Sequence, residues 1–211
     1  MNQGVASPSR LRVPYITAYD EEAVPYRLIF ARDREATDGW RLSYTDAIPL
    51  DWMFGVLWSR QGLHRRGQPR WKLVNTLRQR NAMLRLLCQV CGQPAAGPDG
   101  RASWVLADDP GGAATGEGYT NAPPTCRQCV PEALVTCPRL RRGASVYSVG
   151  DAEPYGVIAN VMGPDPAGAI VVEPNAVIPL DAFHRLEYAL AVQLLVALRD
   201  LRPIPSLMEA A

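Results

Sequence analysis

Two short cysteine motifs, Cys88-Gln-Val-Cys91-Gly92 and Cys126-Arg-Gln-Cys129, carry the strongest signal in this sequence, and 34 residues separate them. Two residues between thiolates allow a tight turn to place both sulfurs on one tetrahedral ion, and Gly92 allows the backbone to turn back. Two such pairs complete a site of four thiolates with no open position for water. The spacing therefore predicts one structural zinc ion, bound by Cys88, Cys91, Cys126 and Cys129.

The fifth cysteine, Cys137, lies outside both motifs. If residues 130–137 are helical, Cys137 lies about 12 Å along the axis from Cys129, too far to share its ion. We predict a buried free thiol, with a catalytic nucleophile as the alternative. A redox role for the CxxC pairs is disfavoured, because redox motifs of this kind occur singly in a βαβ context that is missing here.

The overall composition is that of a soluble globular protein, with 47% apolar and 20% charged residues. This balance excludes wholesale disorder. The net charge is +1, and 21 of the 22 basic residues are Arg, a usage typical of GC-rich coding. The first twelve residues lack the apolar core of a secretory signal, and the longest apolar run, 190–198, is too short to cross a bilayer. We expect a cytoplasmic protein with reduced or metal-bound cysteines.

Local patterns divide the chain into three segments, which can also form one compact domain. Residues 1–66 are β-rich, with a short helix predicted over 52–59. Residues 67–143 combine a helix over 69–87 with the zinc module and a strand over 103–107. Residues 144–211 hold strands over 145–149, 155–162 and 169–173, a hairpin connection at 163–168, and a buried helix over 181–201. The predicted fold class is α+β, with short β-meanders and a buried C-terminal helix.

The residues after Cys129 indicate a further helix, since Pro131 and Glu132 suit a first helical turn. A knuckle, a short β segment and a second CxxC that opens a helix resemble the treble-clef zinc fold. Together with the helix before Cys88, they are similar to the cysteine-bearing branch of the HNH endonucleases. The resemblance covers about residues 70–140, a third of the chain.

The sequence departs from the HNH pattern at the catalytic positions. HNH enzymes carry a histidine in the hairpin as general base, and a second histidine or asparagine on the helix for the catalytic metal. Here residues 103–109 contain no histidine, Val130 follows Cys129, and the only histidines, His64 and His184, lie outside the motifs. We therefore expect no nuclease activity. The alternative is a degenerate HNH-like nuclease with Mg²⁺ at Asp108, Asp109 and His64, or another enzyme that uses Cys137.

Positive charge is concentrated in one part of the chain. Residues 52–98 contain no Asp or Glu and eight basic residues. We predict nucleic-acid contact by six of them: Arg65, Arg66, Arg70, Lys72, Arg78 and Arg85. Four more arginines bracket the second CxxC and could join the same face: Arg127, Arg139, Arg141 and Arg142. Interleaved tryptophans (Trp52, Trp58 and Trp71) suit stacking on bases.

The alternative is that this basic face pairs with the acidic N-terminal segment, where residues such as Asp20, Glu21, Glu22 and Glu35 cluster, and that the tryptophans belong to the core. On balance the sequence predicts a non-enzymatic, zinc-stabilised protein that binds a macromolecule, either nucleic acid or another protein, and no membrane. It does not define the oligomeric state.

Overall fold

Strands dominate the computed structural model, which is 47% strand and 19% helix. It describes residues 12–107, 118–166 and 168–207, so that Asp108 and Asp109 lie outside the described residues. The described strands are β1 (Thr17–Tyr19), β2 (Leu28–Arg32), β3 (Trp40–Tyr44), β4 (Trp52–Met53), β5 (Val56–Trp58), β6 (Pro69–Val74), β7 (Ala102–Ala107), β8 (Gly118–Thr120), β9 (Ala144–Asp165), β10 (Gly168–Pro179) and β11 (Ala189–Pro203).

The described helices are short. They are α1 (Thr76–Leu84), α2 (Val130–Thr136) and α3 (Phe183–Glu187). Single 3₁₀ turns cover Asp20–Glu22, Pro49–Asp51, Arg127–Cys129, Leu140–Arg142 and Pro205–Leu207. None of the helices in the described part of the chain has both the length and the apolar character needed to cross a membrane.

A mixed sheet of seven strands organises the molecule, in the order β10-β9-β11-β5-β4, with β7 beside β9 and β8 beside β11. The pairing of β11 with β5 is parallel, and the other pairings in this sheet are antiparallel. Each of the three segments defined from the sequence contributes strands to this sheet. Two smaller two-stranded sheets, β1-β6 and β2-β3, complete the described strands.

The predicted α+β class is therefore wrong, and so is the treble-clef arrangement at its centre. The two strands between the CxxC pairs do not form a local hairpin, since β7 pairs with β9 and β8 pairs with β11. The segment that carries the two CxxC pairs is thus built into the edge of the large sheet. Val130 of α2 packs there against Val105 of β7 and Val146 of β9.

The predicted C-terminal helix is also wrong, because residues 189–203 form β11 and only Phe183–Glu187 is helical. An apolar run of this kind fits a helix or a strand that is buried on both faces. β11 lies between β9 on one side and β5 and β8 on the other, and the consecutive residues 189–191 and 194–196 are buried, so both faces of this part of the strand are covered. Leu194 and Leu198 belong to the main core cluster, and Leu190 belongs to a second one.

Two further helix predictions differ from the structure: the helix predicted over 52–59 is wrong throughout, and the helix predicted over 69–87 begins only at Thr76. Residues 52–58 form the hairpin β4-β5, because Phe54 and Gly55 both adopt positive φ (57° and 73°), as a two-residue type I′ turn requires. Residues 69–74 form β6, and α1 begins only after Asn75, whose side-chain oxygen accepts the N–H of Arg78 at 3.0 Å. Asn75 is a favourable helix cap, so the sequence carried this signal.

Several β predictions are confirmed. The strand expected over 103–107 is β7, and the strands expected over 145–149, 155–162 and 169–173 lie within β9 and β10. The connection at 163–168 closes the β9-β10 hairpin, where Gly168 pairs with Asp165. Short apolar runs bounded by turn residues are local signals, which is why these elements could be predicted.

Candidate metal centre

The first cysteine pair lies on a backbone knuckle between α1 and β7. The N–H of Cys88 donates to the carbonyl of Gln93 at 2.7 Å, and the N–H of Gly92 donates back to the carbonyl of Cys88 at 2.8 Å. Gly92 has φ +75°, and a Cβ at this position would lie 2.8 Å from the ring of Tyr15. Glycine therefore serves twice here, for the left-handed turn and for the close approach of the aromatic ring.

The second pair opens a helix, as predicted. Cys126 precedes the 3₁₀ turn Arg127–Cys129, and α2 follows without interruption at Val130. The N–H of Cys129 donates to the carbonyl of Cys126 at 2.9 Å, which turns both side chains towards the first pair. Pro131 lies in the first turn of α2, where its missing N–H leaves no unpaired donor in the helix.

The four thiols meet as the spacing predicts. The sulfurs of Cys88, Cys91, Cys126 and Cys129 all lie within 4.8 Å of one another. The Cys91 and Cys126 sulfurs are 3.8 Å apart. Tetrahedral ligands at about 2.3 Å from a zinc ion lie about 3.8 Å apart, whereas a disulfide needs about 2.05 Å. The geometry and the donor set therefore fit a metal ion at the centre of the cluster.

Burial of the cysteines makes ionised thiols unfavourable unless a cation is bound between them. Cys88 and Cys129 are buried, and Cys91 and Cys126 are half-buried. Burial raises the pKa of the Cys88 and Cys129 thiols. Burial also acts against ionisation of Cys91, but hydrogen bonds from the Gln93 N–H and from neighbouring thiols lower its pKa overall. A bound cation reverses the penalty at the two buried thiols, because metal coordination deprotonates a thiol.

Two residues at the cluster were not identified from the sequence. Tyr15 covers Gly92, and its N–H donates to the carbonyl of Val90 at 3.0 Å. The Arg12 guanidinium contacts the sulfur of Cys129 at 3.7 Å and the carboxylate of Glu132 at 3.4 Å. Neither residue has a local sequence signal, since both reach the cluster from more than 70 positions away.

The six basic residues predicted to contact nucleic acid differ in their exposure and in their partners within the protein. Arg78 is only 2% exposed and forms an ion pair with Glu22, so it is not available to an external phosphate. Arg65 is exposed, but its guanidinium donates to the Val13 carbonyl at 3.1 Å and to the Tyr19 hydroxyl at 3.2 Å. The remaining four are exposed and have no ion pair with a described carboxylate: Arg66, Arg70, Lys72 and Arg85.

The three tryptophans of the basic segment also differ. Trp58 is 2% exposed and belongs to the main core, and Trp52 is half-buried against a second core cluster. Trp71 is 53% exposed. Only Trp71 of these three therefore presents most of its ring to solvent.

Asp108 and Asp109 of the enzyme alternative lie outside the described residues, and the described histidines and Cys137 form no common cluster. His64 lies on an exposed loop, and its ring accepts the N–H of Arg66 at 3.2 Å. His184 lies on α3, 3.6 Å from Asp38 and 3.8 Å from Glu187. Cys137 ends α2, is half-buried, and lines a cavity of about 530 Å³ together with Tyr119 and Arg139.

Comparisons with protein-family models, with curated proteins and with solved structures give no match for this chain. The similarity to the HNH endonucleases therefore stays a prediction from the cysteine motifs.

Proposed function

We propose that this protein is a zinc-stabilised nucleic-acid-binding protein, in which the metal holds a basic surface in place and takes no part in chemistry. Four thiolates are the donor set of structural zinc sites, and such a site has no open position for a reacting water. The Cys88, Cys91, Cys126 and Cys129 sulfurs supply that set within 4.8 Å. The ion would fix the position of Cys126 and Cys129, and with them the start of α2.

The observation that carries the proposal is an imbalance of charge around this centre. Residues 65–142 include twelve Lys and Arg residues and only five carboxylates: Asp99, Asp108, Asp109, Glu117 and Glu132. Eight of these cations are exposed and form no ion pair with a described carboxylate: Arg66, Arg70, Lys72, Arg85, Arg127, Arg139, Arg141 and Arg142.

The cations of α3 and β11 behave differently. Arg185 pairs with Glu173 at 2.6 Å, Arg199 pairs with Glu153 at 3.0 Å, and Arg202 pairs with Asp200 at 3.1 Å. An unpaired Lys or Arg that binds a phosphate releases a counterion from the nucleic acid, and this release favours binding. A cation that is already paired within the chain must first give up its carboxylate, so its net contribution to the affinity is smaller. The unpaired charge supports the proposal that the zinc module and β6 contact phosphate.

Ile16 connects the two-stranded β1-β6 sheet to the zinc module through backbone hydrogen bonds. The N–H of Asn75, just after β6, donates to the Ile16 carbonyl at 2.8 Å, and the N–H of Ile16 donates to the Gln89 carbonyl at 3.3 Å. Gln89 lies between Cys88 and Cys91 on the knuckle. Two backbone hydrogen bonds through Ile16 thus link the Val74 end of β6 to the knuckle of the first cysteine pair, and we infer that one extended polyanion contacts both.

The salt dependence of binding tests this proposal. Fluorescence anisotropy of labelled single-stranded and duplex oligonucleotides should show affinity that falls steeply between about 50 mM and 200 mM salt. A triple substitution of Arg139, Arg141 and Arg142 by Gln should weaken binding and make the slope of log K against log salt shallower by about 2, since each lost phosphate contact removes about 0.7–0.9.

A matched triple substitution of Arg185, Arg199 and Arg202 by Gln is the control, because it removes the same charge from cations that are paired. It should leave the slope nearly unchanged. Absence of binding by the wild-type protein at low salt, or equal losses in both triple variants, would contradict the proposal. Cleavage of the oligonucleotide in the presence of Mg²⁺ would instead favour the HNH-like nuclease alternative.

A further inference from the structure

The strand β6 carries an irregularity that exposes three consecutive residues. Two consecutive residues of β1 pair with residues of β6 that are four positions apart: Thr17 pairs with Val74, and Ala18 pairs with Arg70. The residues between them, Trp71, Lys72 and Leu73, have no partner in this register and form what we term the β6 bulge. An insertion in one strand of an antiparallel pair pushes the extra residues away from the ladder and redirects their side chains.

The β6 bulge presents an apolar surface to solvent. Trp71 is 53% exposed and Leu73 is 51% exposed. Within the described residues, no aromatic ring or cation stacks on the Trp71 indole. Trp40, which is 37% exposed, differs because the Arg32 guanidinium lies over its ring at 4.1 Å. The face of Trp71 is therefore available to an external planar group.

Positive charge flanks this indole. Arg70 and Lys72 are its neighbours in the chain, both are exposed, and neither forms an ion pair with a described carboxylate. An aromatic ring between two cations matches a nucleotide, which joins a planar base to an anionic phosphate. Stacking of bases on aromatic side chains combined with cationic contacts to the backbone is how sequence-tolerant single-strand binding works.

We propose, on the basis of the function proposed above, that the β6 bulge binds single-stranded nucleic acid by stacking a base on Trp71 while Arg70 and Lys72 contact the adjacent phosphates. In a duplex the bases are already stacked on one another, so a base can lie on the indole only where the strand is unpaired. The surface therefore selects single strands over duplexes.

Negative charge at the Pro69 end of β6 determines along which path the bound nucleic acid leaves Trp71. Asp20 lies at the Pro69 end of β6, where its carboxylate accepts the N–H groups of Gln68 at 2.8 Å and Glu21 at 2.9 Å. Asp20 and Glu21 are both exposed and would repel phosphate. The nucleic acid thus extends from Trp71 towards Val74 and the zinc module, away from these carboxylates.

The test compares Trp71→Ala, Trp71→Phe and the control Trp40→Ala in binding to a pyrimidine 20-mer as single-stranded DNA, as RNA of the same sequence, and as duplex DNA. Trp71→Ala should weaken binding of single strands by about five- to a hundredfold, and Trp71→Phe should retain most of the affinity because a phenyl ring still stacks. Binding of the duplex should change less than about twofold, since it depends on phosphate contacts. Trp40→Ala should bind like the wild type.

A spectroscopic measurement keeps the proposal testable even if Trp71→Ala folds poorly. Single-stranded DNA should quench part of the tryptophan emission of the wild type, and the Trp71→Phe variant should lose that quenching. Unchanged affinity of Trp71→Ala for single strands, or equal weakening of single-strand and duplex binding, would overturn the inference while leaving the proposed function standing. Failure of the wild type to bind any of the three probes at low salt would overturn the proposed function itself, and this inference with it.

Discussion

Glu22 and Arg78 form a doubly hydrogen-bonded ion pair in the interior, with Nη1 to Oε1 at 2.6 Å and Nη2 to Oε2 at 2.7 Å. The two side chains are 1% and 2% exposed. The Glu22 carboxylate also accepts the N–H of Tyr19 at 2.9 Å, the N–H of Arg65 at 3.0 Å and the Asn75 amide at 3.0 Å. The pair thus connects the turn after β1, the loop before β6 and the first turn of α1.

This pair explains why one of the predicted phosphate contacts is structural. A buried carboxylate loses its hydration, and that loss is offset only when good partners surround it. Arg78 also donates to the Thr17 carbonyl at 2.6 Å, which fixes β1 against α1. Arg85, seven positions further along the chain, is exposed and has no such role.

Substitutions at these two arginines should have very different effects on stability. Arg78→Gln leaves the Glu22 carboxylate buried without a cation and should lower the free energy of unfolding by about 3–5 kcal/mol. Arg85→Gln should change it by less than about 0.5 kcal/mol. Urea denaturation followed by circular dichroism measures both values. Equal effects would show that the Arg78 side chain is not buried in the folded protein.

The ion pair should also make stability depend on pH in a defined window. Burial alone would raise the pKa of Glu22, but the hydrogen bonds from Arg78 and from the Tyr19 and Arg65 N–H groups outweigh it and lower the pKa to about 2. A carboxyl with a lowered pKa stabilises the fold above its ordinary pKa of 4.5 and loses that effect as the pH falls towards 2. The associated free energy is about 3 kcal/mol.

The measurement is the difference in unfolding free energy between the wild type and Glu22→Gln from pH 6 down to the acid limit of folding. Both proteins carry the same cysteine cluster, so acid release of its metal largely cancels in the difference. The advantage of the wild type should shrink as the pH falls below about 4.5, the ordinary Glu value. A difference that stays constant over this range would contradict the assignment.

Metal content should follow the four-cysteine assignment. Elemental analysis of the purified protein should give close to one zinc per chain, and Cys91→Ser or Cys126→Ser should lose it together with the fold of residues 86–136, because metal binding and folding are coupled. Cys137→Ser should keep the metal, since Cys137 lies outside the cluster. A wild type without zinc, or equal loss from the Cys137 variant, would refute the ligand set.

Gln79 should be a second buried determinant of stability. Its side-chain amide donates to the Leu194 carbonyl at 2.9 Å and to the Asn121 carbonyl at 2.8 Å, and its oxygen accepts the Leu194 N–H at 2.9 Å. On that edge of β11 it fills the gap between the residues paired with β5 and those paired with β8. Gln79→Ala leaves these three groups unpaired and should cost about 3 kcal/mol or more.

The control for Gln79 is Asn81→Ala on the same helix. Asn81 is half-buried, and its substitution should leave the midpoint of urea denaturation within the range of an ordinary surface change. Comparable losses from the two variants would mean that α1, rather than the link to β11, sets the stability.

Parts of the fold with short-range signals could be predicted from the sequence. The metal ligands could be named because two residues between thiolates suffice to define each half of the site. The start of α2 after Cys129 and the turn at 163–168 were likewise encoded in a few adjacent residues. The start of α1 at Asn75 has a local signal as well, but Pro69 offers a competing helix start earlier in the chain.

What the sequence alone determined is the identity of the four ligands and the strands around the β9-β10 turn, since both depend on spacings of a few residues. The tertiary structure decided whether residues 189–203 became helix or strand, because the same apolar run can be buried in either form and only pairing with β9 selects the strand. It also decided the role of Arg78, because a guanidinium is a phosphate ligand or a structural group according to its neighbours, and the carboxylate that pairs with it lies 56 positions away.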